Sequence, residues 1–359
     1  MKKVLIIQEI IPEYRIPIFN ELASKVDLTI LFSKGSVLNS FKFKTIFVPV
    51  KTFFSRFHLH TKNIRKICNQ FDTVVAMFDL SFLNLRLLAY FPRKFKLIYW
   101  GIGVSASYNH RFDVDKRGDK KRIKYLNLSD ACLFYSQYPV DKYIKLGLKA
   151  EKMFVANNTV QVLVDYSFHE NVEVKKDKFL FIGSLYKQKR LDSLIEEYTK
   201  AYLVNNDIPA LFIIGDGVQK AEIQELINKF NLSSKIHMVG AIYNQSDLVN
   251  YFLSSFLCFS PNQAGLSVLQ SMGYGVPFVT TENAITGGEI FNINNGINGL
   301  LLKNVSEFKD IILDVKKNPL KYLKMGEQAK IYYFSHRTIK HMVDGFISAF
   351  DYVVKGESK

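Results

Sequence analysis

Residues 178–198 read KFLFIGSLYKQKRLDSLIEEY. The apolar, β-prone run Phe179–Ile182 stops at Gly183, and the loop that follows carries Lys187, Lys189 and Arg190. From Leu191 to Tyr198 the apolar residues then recur every three to four positions, which predicts a helix. Strand, glycine, polar loop and helix in that order make the first half of a parallel β-α-β unit.

The same scheme recurs on both sides. Toward the carboxyl end the predicted strands are Ala210–Ile214, Ile236–Val239, Pro277–Thr280 and Gly299–Leu302; toward the amino end they are Val4–Ile7, Leu28–Phe32, Thr73–Met77, Leu97–Trp100 and Cys132–Tyr135. Alternation of this kind predicts an α/β fold of two Rossmann-like parallel-sheet domains. Ligands of such sheets bind beyond the carboxyl ends of the strands, so the expected arrangement is two sheets facing a cleft. A length of 359 residues suits two domains better than one, and 48% hydrophobic residues argue against disorder. The polar, aperiodic stretch Val164–Lys178 reads as the linker, which divides the chain into 1–165 and 166–335. Leu320–Val354 reads as two helical segments broken near Ser335, the last of which, within 336–359, is expected to pack back on the domains.

Charge is unevenly spread. Residues 1–165 hold 27 Lys+Arg against 13 Asp+Glu, a net +14, whereas residues 166–359 are nearly balanced at +1. A half this basic attracts polyanions, and the cluster Lys116–Lys124 makes an anionic membrane surface the expected partner. Nucleic acid is not expected, because no zinc finger, RNP-like sequence or basic heptad region is present. Cys68, Cys132 and Cys258 stand far apart without CxxC spacing, which implies a reducing, cytoplasmic setting. No window is long and apolar enough to span a bilayer, so membrane association would be peripheral, on the inner face. The histidines form no metal-like set with nearby acids, and no metal or cofactor is expected; His58 and His60 read as part of a polar segment before a helix.

Several loops carry candidate chemistry. Gly183 and Ser184 at a strand end, followed by Lys189, suit an anion: backbone amides and an ammonium converge on a phosphate. In SPNQAGLSVLQSMGYGVP, residues 260–277, Pro261 and Gly265 punctuate a loop and Leu266–Tyr274 reads as a short helix ended by Gly275. The amides of Gly265, Leu266 and Ser267 would be unpaired at its start, open to a pyrophosphate, with Gln270 one turn further in beside a ribose. Gly101-Ile102-Gly103-Val104-Ser105-Ala106 satisfies G-x-G-x-x-A only weakly, since its strand is not the first of its unit and a basic run stands where a ribose-binding acid belongs. Gly215-Asp216-Gly217 reads as a tight strand-to-helix turn.

These segments resemble family 4 glycosyltransferases of the GT-B fold, of the group 1 type found in bacterial surface polysaccharide biosynthesis. Gly183, Leu185, Lys189, Gly275 and Pro277 match the family order of G-R-L, lysine, E-x7-E and G-x-P-V. GGEIFNINNGINGLLL at Gly287–Leu302 matches its later glutamate and N-G-L-L segment, and IPEYRIPIFNEL its Y-R-x-P-x-F motif. The resemblance implies transfer of a sugar from a nucleotide-diphosphate donor to a glycan or lipid-linked acceptor, with retention and without metal. It implies a catalytic Lys189 and Asn262, donor contacts from Gly183, Ser184, Gly265, Leu266, Ser267 and Gln270 as well, and Tyr14 and Arg15 on the acceptor side. Four departures stand out: Asn262 and Gln270 occupy the two glutamate positions, Ser184 that of the phosphate-binding arginine, and Ile102 the place where related sequences often show histidine. Asn and Gln still donate to and accept from sugar hydroxyls. A non-catalytic nucleotide-sugar or glycan sensor and a nucleotide-sugar epimerase are the alternatives; the sugar, the base and the acceptor are not specified by these residues.

Overall fold

The computed structural model describes residues 1–35, 41–106, 111–163 and 175–355. It divides into two compact units, one of Met1–Ala106, Asp113–Val160 and Arg337–Lys359, the other of Ser107–Phe112 and Gln161–His336. Residues 164–174 of the stretch read as a linker lie outside the described residues.

The amino-terminal unit contains β1 (Lys3–Ile7), β2 (Asp27–Phe32), β3 (Lys44–Phe47), β4 (Val50–Phe53), β5 (Phe57–His60), β6 (Thr73–Met77), β7 (Lys96–Gly101), β8 (Ala131–Phe134) and β9 (Met153–Val155). Seven of these form one all-parallel sheet in the order β3-β2-β1-β6-β7-β8-β9. Its central strands are continuous apolar runs because both faces are covered. Leu5, Ile7, Val74, Ala76, Leu97 and Tyr99 point into one core, and the alternating Val4, Ile6, Val75, Ile98 and Trp100 into the other. The second core is completed by the last helix, Ile339–Lys355, through Met342, Val343, Phe346 and Phe350, with Phe346 edge-on to Trp100 at 4.8 Å between centroids. Strands β4 and β5 stand apart as an antiparallel hairpin, so His58 and His60 lie in a strand rather than in a polar lead-in to a helix.

The carboxyl-terminal unit contains β10 (Lys178–Ile182), β11 (Ala210–Ile214), β12 (Ile236–Gly240), β13 (Ser255–Phe259), β14 (Gln263–Ala264), β15 (Phe278–Thr281), β16 (Ile285–Thr286) and β17 (Gly299–Leu302). The sheet order β12-β11-β10-β13-β15-β17 is the doubly wound order 3-2-1-4-5-6, again all parallel. A two-stranded parallel patch, β14 with β16, pairs Gln263 with Ile285 and Ala264 with Thr286. The fold is therefore α/β with two parallel-sheet domains.

Among the described residues no helix is long and apolar enough to cross a membrane. The cluster Lys116–Lys124 is less exposed a charge than its sequence suggests. Lys116 pairs with Asp113, Arg117 with Asp115 and Arg122 with Asp119, while Lys142 bridges Asp113 and Asp119 at 2.6 and 2.7 Å.

Candidate functional site

In a doubly wound sheet, the chain winds one way from its first strand and the other way from its fourth, and the crevice between those two strand ends is where ligands bind. In the carboxyl-terminal unit these strands are β10 and β13. The predicted donor residues follow them: Gly183, Ser184 and Lys189 after β10, and Asn262, Gly265, Leu266, Ser267 and Gln270 after β13. Topology thus brings to one crevice two segments some 80 positions apart.

The loop after β10 is held by backbone. Gly183 N donates to Ile214 O at 3.0 Å and Leu185 N to Asp216 O at 2.9 Å. Gly183 takes φ +144°, and Gly215 takes φ +154°, where a Cβ would stand 1.9 Å from Gly183 O. Gly215 is needed for the two loops to lie backbone on backbone, and Gly183 leaves its Cβ side to the Lys189 ammonium. Asp216 closes the turn after β11, accepting from Gly217 N at 2.7 Å and Lys220 Nζ at 2.8 Å.

Lys189 closes the short 3-10 turn Lys187–Lys189 and is 7% exposed. Its ammonium lies 3.0 Å from where a Cβ on Gly183 would be and 5.9 Å from the Tyr186 ring centroid. No ion pair or hydrogen bond holds it among the described residues. Burial lowers its pKa to about 8; the titratable group it senses is the Cys258 thiol on β13, itself pushed by burial to about 12. A thiol protonated at neutral pH gives no counter-charge. The next residue, Arg190, turns left-handed at φ +53° and its guanidinium donates to Ser193 Oγ at 2.9 Å.

Asn262 is committed to the neighbouring loop. Its Nδ2 donates to Gln188 O at 3.0 Å, and Tyr186 Oη donates to Gln263 Oε1 alongside. Together they pin the turn that carries Lys189 to the segment after β13. A glutamate at 262 would bring an acceptor against the Gln188 carbonyl, so the amide is the residue type this contact requires. Ser260 Oγ, Thr280 Oγ1 and Thr281 Oγ1 fasten the same segment through the carbonyls of Gln263, Ser260 and Pro261.

Beyond it, the helix Ser267–Gly273 begins after Leu266. The amides of Leu266 and Ser267 find no acceptor among the described residues, and no atom lies within 4 Å of a Cβ built on Gly265. Gln270 is half-buried, and its side-chain amide is without a hydrogen bond among the described residues. Ser184 is exposed. Tyr186, Gln188 and Gln263 were not singled out from sequence, since nothing in their spacing announces a cross-loop clasp.

Tyr14 and Arg15 follow β1 in the other unit. Arg15 is 7% exposed, donates to Tyr135 Oη, and sits over three rings, with its guanidinium carbon 4.6 Å from the Trp100 centroid, 5.2 Å from Tyr135 and 5.5 Å from Tyr14. Its donors are directed into its own unit, and Tyr14 is the half-exposed member of the pair. The weak G-x-G-x-x-A match has a packing explanation: a Cβ on Gly103 would meet the Phe134 ring at 2.6 Å. No group of three or more His, Cys, Asp or Glu placed to hold a metal occurs among the described residues.

Comparison with known proteins adds to this geometry. Residues 165–332 match the family model of glycosyl transferases group 1. N-acetyl-alpha-D-glucosaminyl L-malate synthase of Bacillus anthracis is 22% identical over 182 residues, half of this chain, and an uncharacterized glycosyltransferase of Methanocaldococcus jannaschii is 33% identical over 113 residues, 30% of it. The matched stretches span 45% and 27% of those two proteins. Among solved structures, Anabaena HepE in complex with UDP has a TM-score of 0.74 at 14% identity, covering 98% of this chain and all of that one. A glycosyltransferase from Rickettsia africae has a TM-score of 0.72 at 14% identity, with 98% of each chain covered. At such identities the likeness is one of fold, and it is the fold of GT-B glycosyltransferases. The family match covers residues 165–332, just under half of the chain, and the whole-chain likeness to solved structures shows the GT-B fold.

Proposed function

We propose that the protein transfers a sugar from a nucleotide-diphosphate donor to a glycan or lipid-linked acceptor, with retention and without a metal ion. The donor is held by the carboxyl-terminal unit and the acceptor by the basic amino-terminal one, at the cytoplasmic side of a membrane. The observation that carries this reading is Lys189: a buried cation with no protein counter-charge, in the loop after β10 at the sheet's switch point, the other side of which carries the amides of Leu266 and Ser267 after β13. Desolvating an ammonium is costly unless an anion joins it, and a diphosphate fits both groups. HepE, with the same fold, binds UDP and UDP-glucose, which favours a uridine donor for this chain as well.

In the reaction, the bond from the anomeric carbon to the acceptor oxygen forms on the face from which the diphosphate leaves. The acceptor's proton passes to the departing diphosphate oxygen, so no protein nucleophile is required. Lys189 and the helix-start amides stabilise the charge that grows on the leaving group. Asn262 positions Lys189 through Gln188, and Gln270 meets the ribose. Tyr14 is placed with the acceptor, with Arg15 fixing its neighbourhood.

A thermal-shift panel of UDP-, GDP-, ADP-, dTDP- and CMP-sugars tests the donor: one class raises Tm, because a ligand that binds only the native state stabilises it. Acceptor-dependent release of the nucleotide then tests transfer. No shift with any nucleotide sugar would remove the reading.

A further inference from the structure

The hairpin β4–β5 is built inside out. Register pairs Lys51 with Leu59 and Phe53 with Phe57 on one face, and Val50 with His60 and Thr52 with His58 on the other. The histidines of the second face turn inward: His58 and His60 pack on Phe82 at 4.8 and 5.7 Å and His60 Nδ1 bonds Asn84 Oδ1 at 2.9 Å, while Thr52, itself exposed, bonds His58 Nδ1 through Oγ1 at 3.0 Å. The apolar face is turned to solvent, with Phe53 44% and Leu59 38% exposed. At the tip, Arg56 N donates to Phe53 O at 3.1 Å, and the two residues between, Phe54 and Ser55, both take positive φ, +50° and +53°. Asn-Gly ordinarily fills such a turn; here a phenylalanine stands 93% exposed in a backbone region that disfavours it. Local stability gains nothing from that choice.

Cations lie on the hairpin and beyond its base. Residues 47–94 hold eight Lys+Arg and two Asp+Glu. Lys51, Arg56, Lys62, Arg65 and Lys66 form no ion pair among the described residues, in contrast to the half-neutralised Lys116–Lys124 cluster. Beside the hairpin a cavity of about 300 Å³ is lined by apolar Leu59, Leu87 and Phe91 together with Lys62 and Arg65. Protruding aromatics on a segment rich in cations without ion pairs match the boundary of an anionic bilayer, where rings enter the acyl edge and cations stay at the phosphates.

We infer that this hairpin face, with Phe54 as its leading residue, Lys51 and Arg56 on the hairpin and Lys62, Arg65 and Lys66 after it, docks the protein on anionic phospholipid membranes. This assignment goes beyond sugar transfer and does not depend on it; its test uses no donor or acceptor.

The full-length protein is sedimented with vesicles of phosphatidylcholine, with and without phosphatidylglycerol. Binding rises with the anionic lipid and falls with salt. Phe54→Gly, which suits the backbone, leaves Tm unchanged or raised yet lowers partition about tenfold. Lys62→Ser, Arg65→Ser and Lys66→Ser each lower it by about fivefold, whereas Lys120→Ser and Lys121→Ser together change it less than Phe54→Gly. Phe54→Trp gives emission that shifts to the blue on vesicles, against the buried Trp100 as internal reference. Equal sedimentation with neutral and anionic vesicles, or no effect of Phe54→Gly, overturns the inference. Concentration-dependent self-association without lipid that Phe54→Gly abolishes also overturns it, assigning the face to a second copy of the chain.

Discussion

The two units share a topology and use it differently. Each is an all-parallel sheet wound outward from its first strand, and each places a buried cation in the loop after that strand, Arg15 after β1 and Lys189 after β10. Arg15 is enclosed by the rings of Trp100, Tyr135 and Tyr14 and donates through Nη2 to Tyr135 Oη, while its Nε is buried without an acceptor among the described residues. Lys189 has only a protonated thiol and one distant ring. Equal burial therefore has two settings: Arg15 is held by three rings and a hydrogen bond of its own unit, whereas Lys189 has neither hydrogen bond nor counter-charge among the described residues and suits an anion.

Exchanging these residues for alanine separates the two settings. Lys189→Ala removes a charge-assisted contact, about 1.5–3 kcal/mol, so donor affinity and turnover fall roughly 10- to 150-fold. Its effect on stability has the opposite sign. The folded state disfavours the ammonium, with a pKa lowered to about 8, so the unfolded chain binds more protons between about 8 and its ordinary value of 10.5. At pH 7 the variant thus melts no lower than the parent, and the difference closes as pH climbs from about 8 toward 10.5. Arg15→Ala behaves conversely: it loses about 2 kcal/mol of stability through lost ring contacts while UDP affinity is unchanged. Unchanged donor binding in Lys189→Ala, or lost donor binding in Arg15→Ala, breaks the contrast.

Asn262 sharpens it on a smaller scale. Asn262→Ala gives up one cross-loop hydrogen bond, about 1 kcal/mol, and turnover falls about fivefold in a folded protein. Asn262→Glu costs more than Asn262→Ala, because a carboxylate then faces the Gln188 carbonyl. Gln270→Ala reduces activity by a similar factor to Asn262→Ala, and the double change Asn262→Glu, Gln270→Glu does not raise turnover above the parent. Steady-state rates with melting curves decide this; a strong gain in the double variant would mean a pocket still shaped for carboxylates.

Much of the fold was legible because buried parallel strands announce themselves as apolar runs ended by glycine or polar loops, as at Val4–Ile7 and Phe179–Ile182. The strands that escaped lack one of those marks. β3 is an edge strand, KTIF, three of whose four residues are exposed; β9 has three residues; β13 lies in Val249–Ser260, where helix end and strand meet at Ser254 and Ser255 with no glycine or proline between them. At the site, loop chemistry pointed to Lys189 and to the segment 262–270, because cations and helix-start residues keep local signatures. The clasp of Asn262 on Gln188 and of Tyr186 on Gln263 has none, being set by how two loops some 75 residues apart meet. The inversion of the β4–β5 hairpin was equally hidden, since alternation shows two faces but not which one turns inward.

The central claim is that the unpartnered ammonium of Lys189 is the seat of the donor diphosphate, and proton uptake on UDP binding tests it most directly. At pH 8 about half of the free Lys189 is neutral, and a bound diphosphate recharges it. Calorimetric titration in buffers of different ionisation enthalpy should therefore show up to about half a proton taken up per UDP at pH 8, where the UDP phosphate is already ionised, and none in Lys189→Ala. UDP binding with no uptake at pH 8, or with the same uptake in Lys189→Ala, would contradict the assignment.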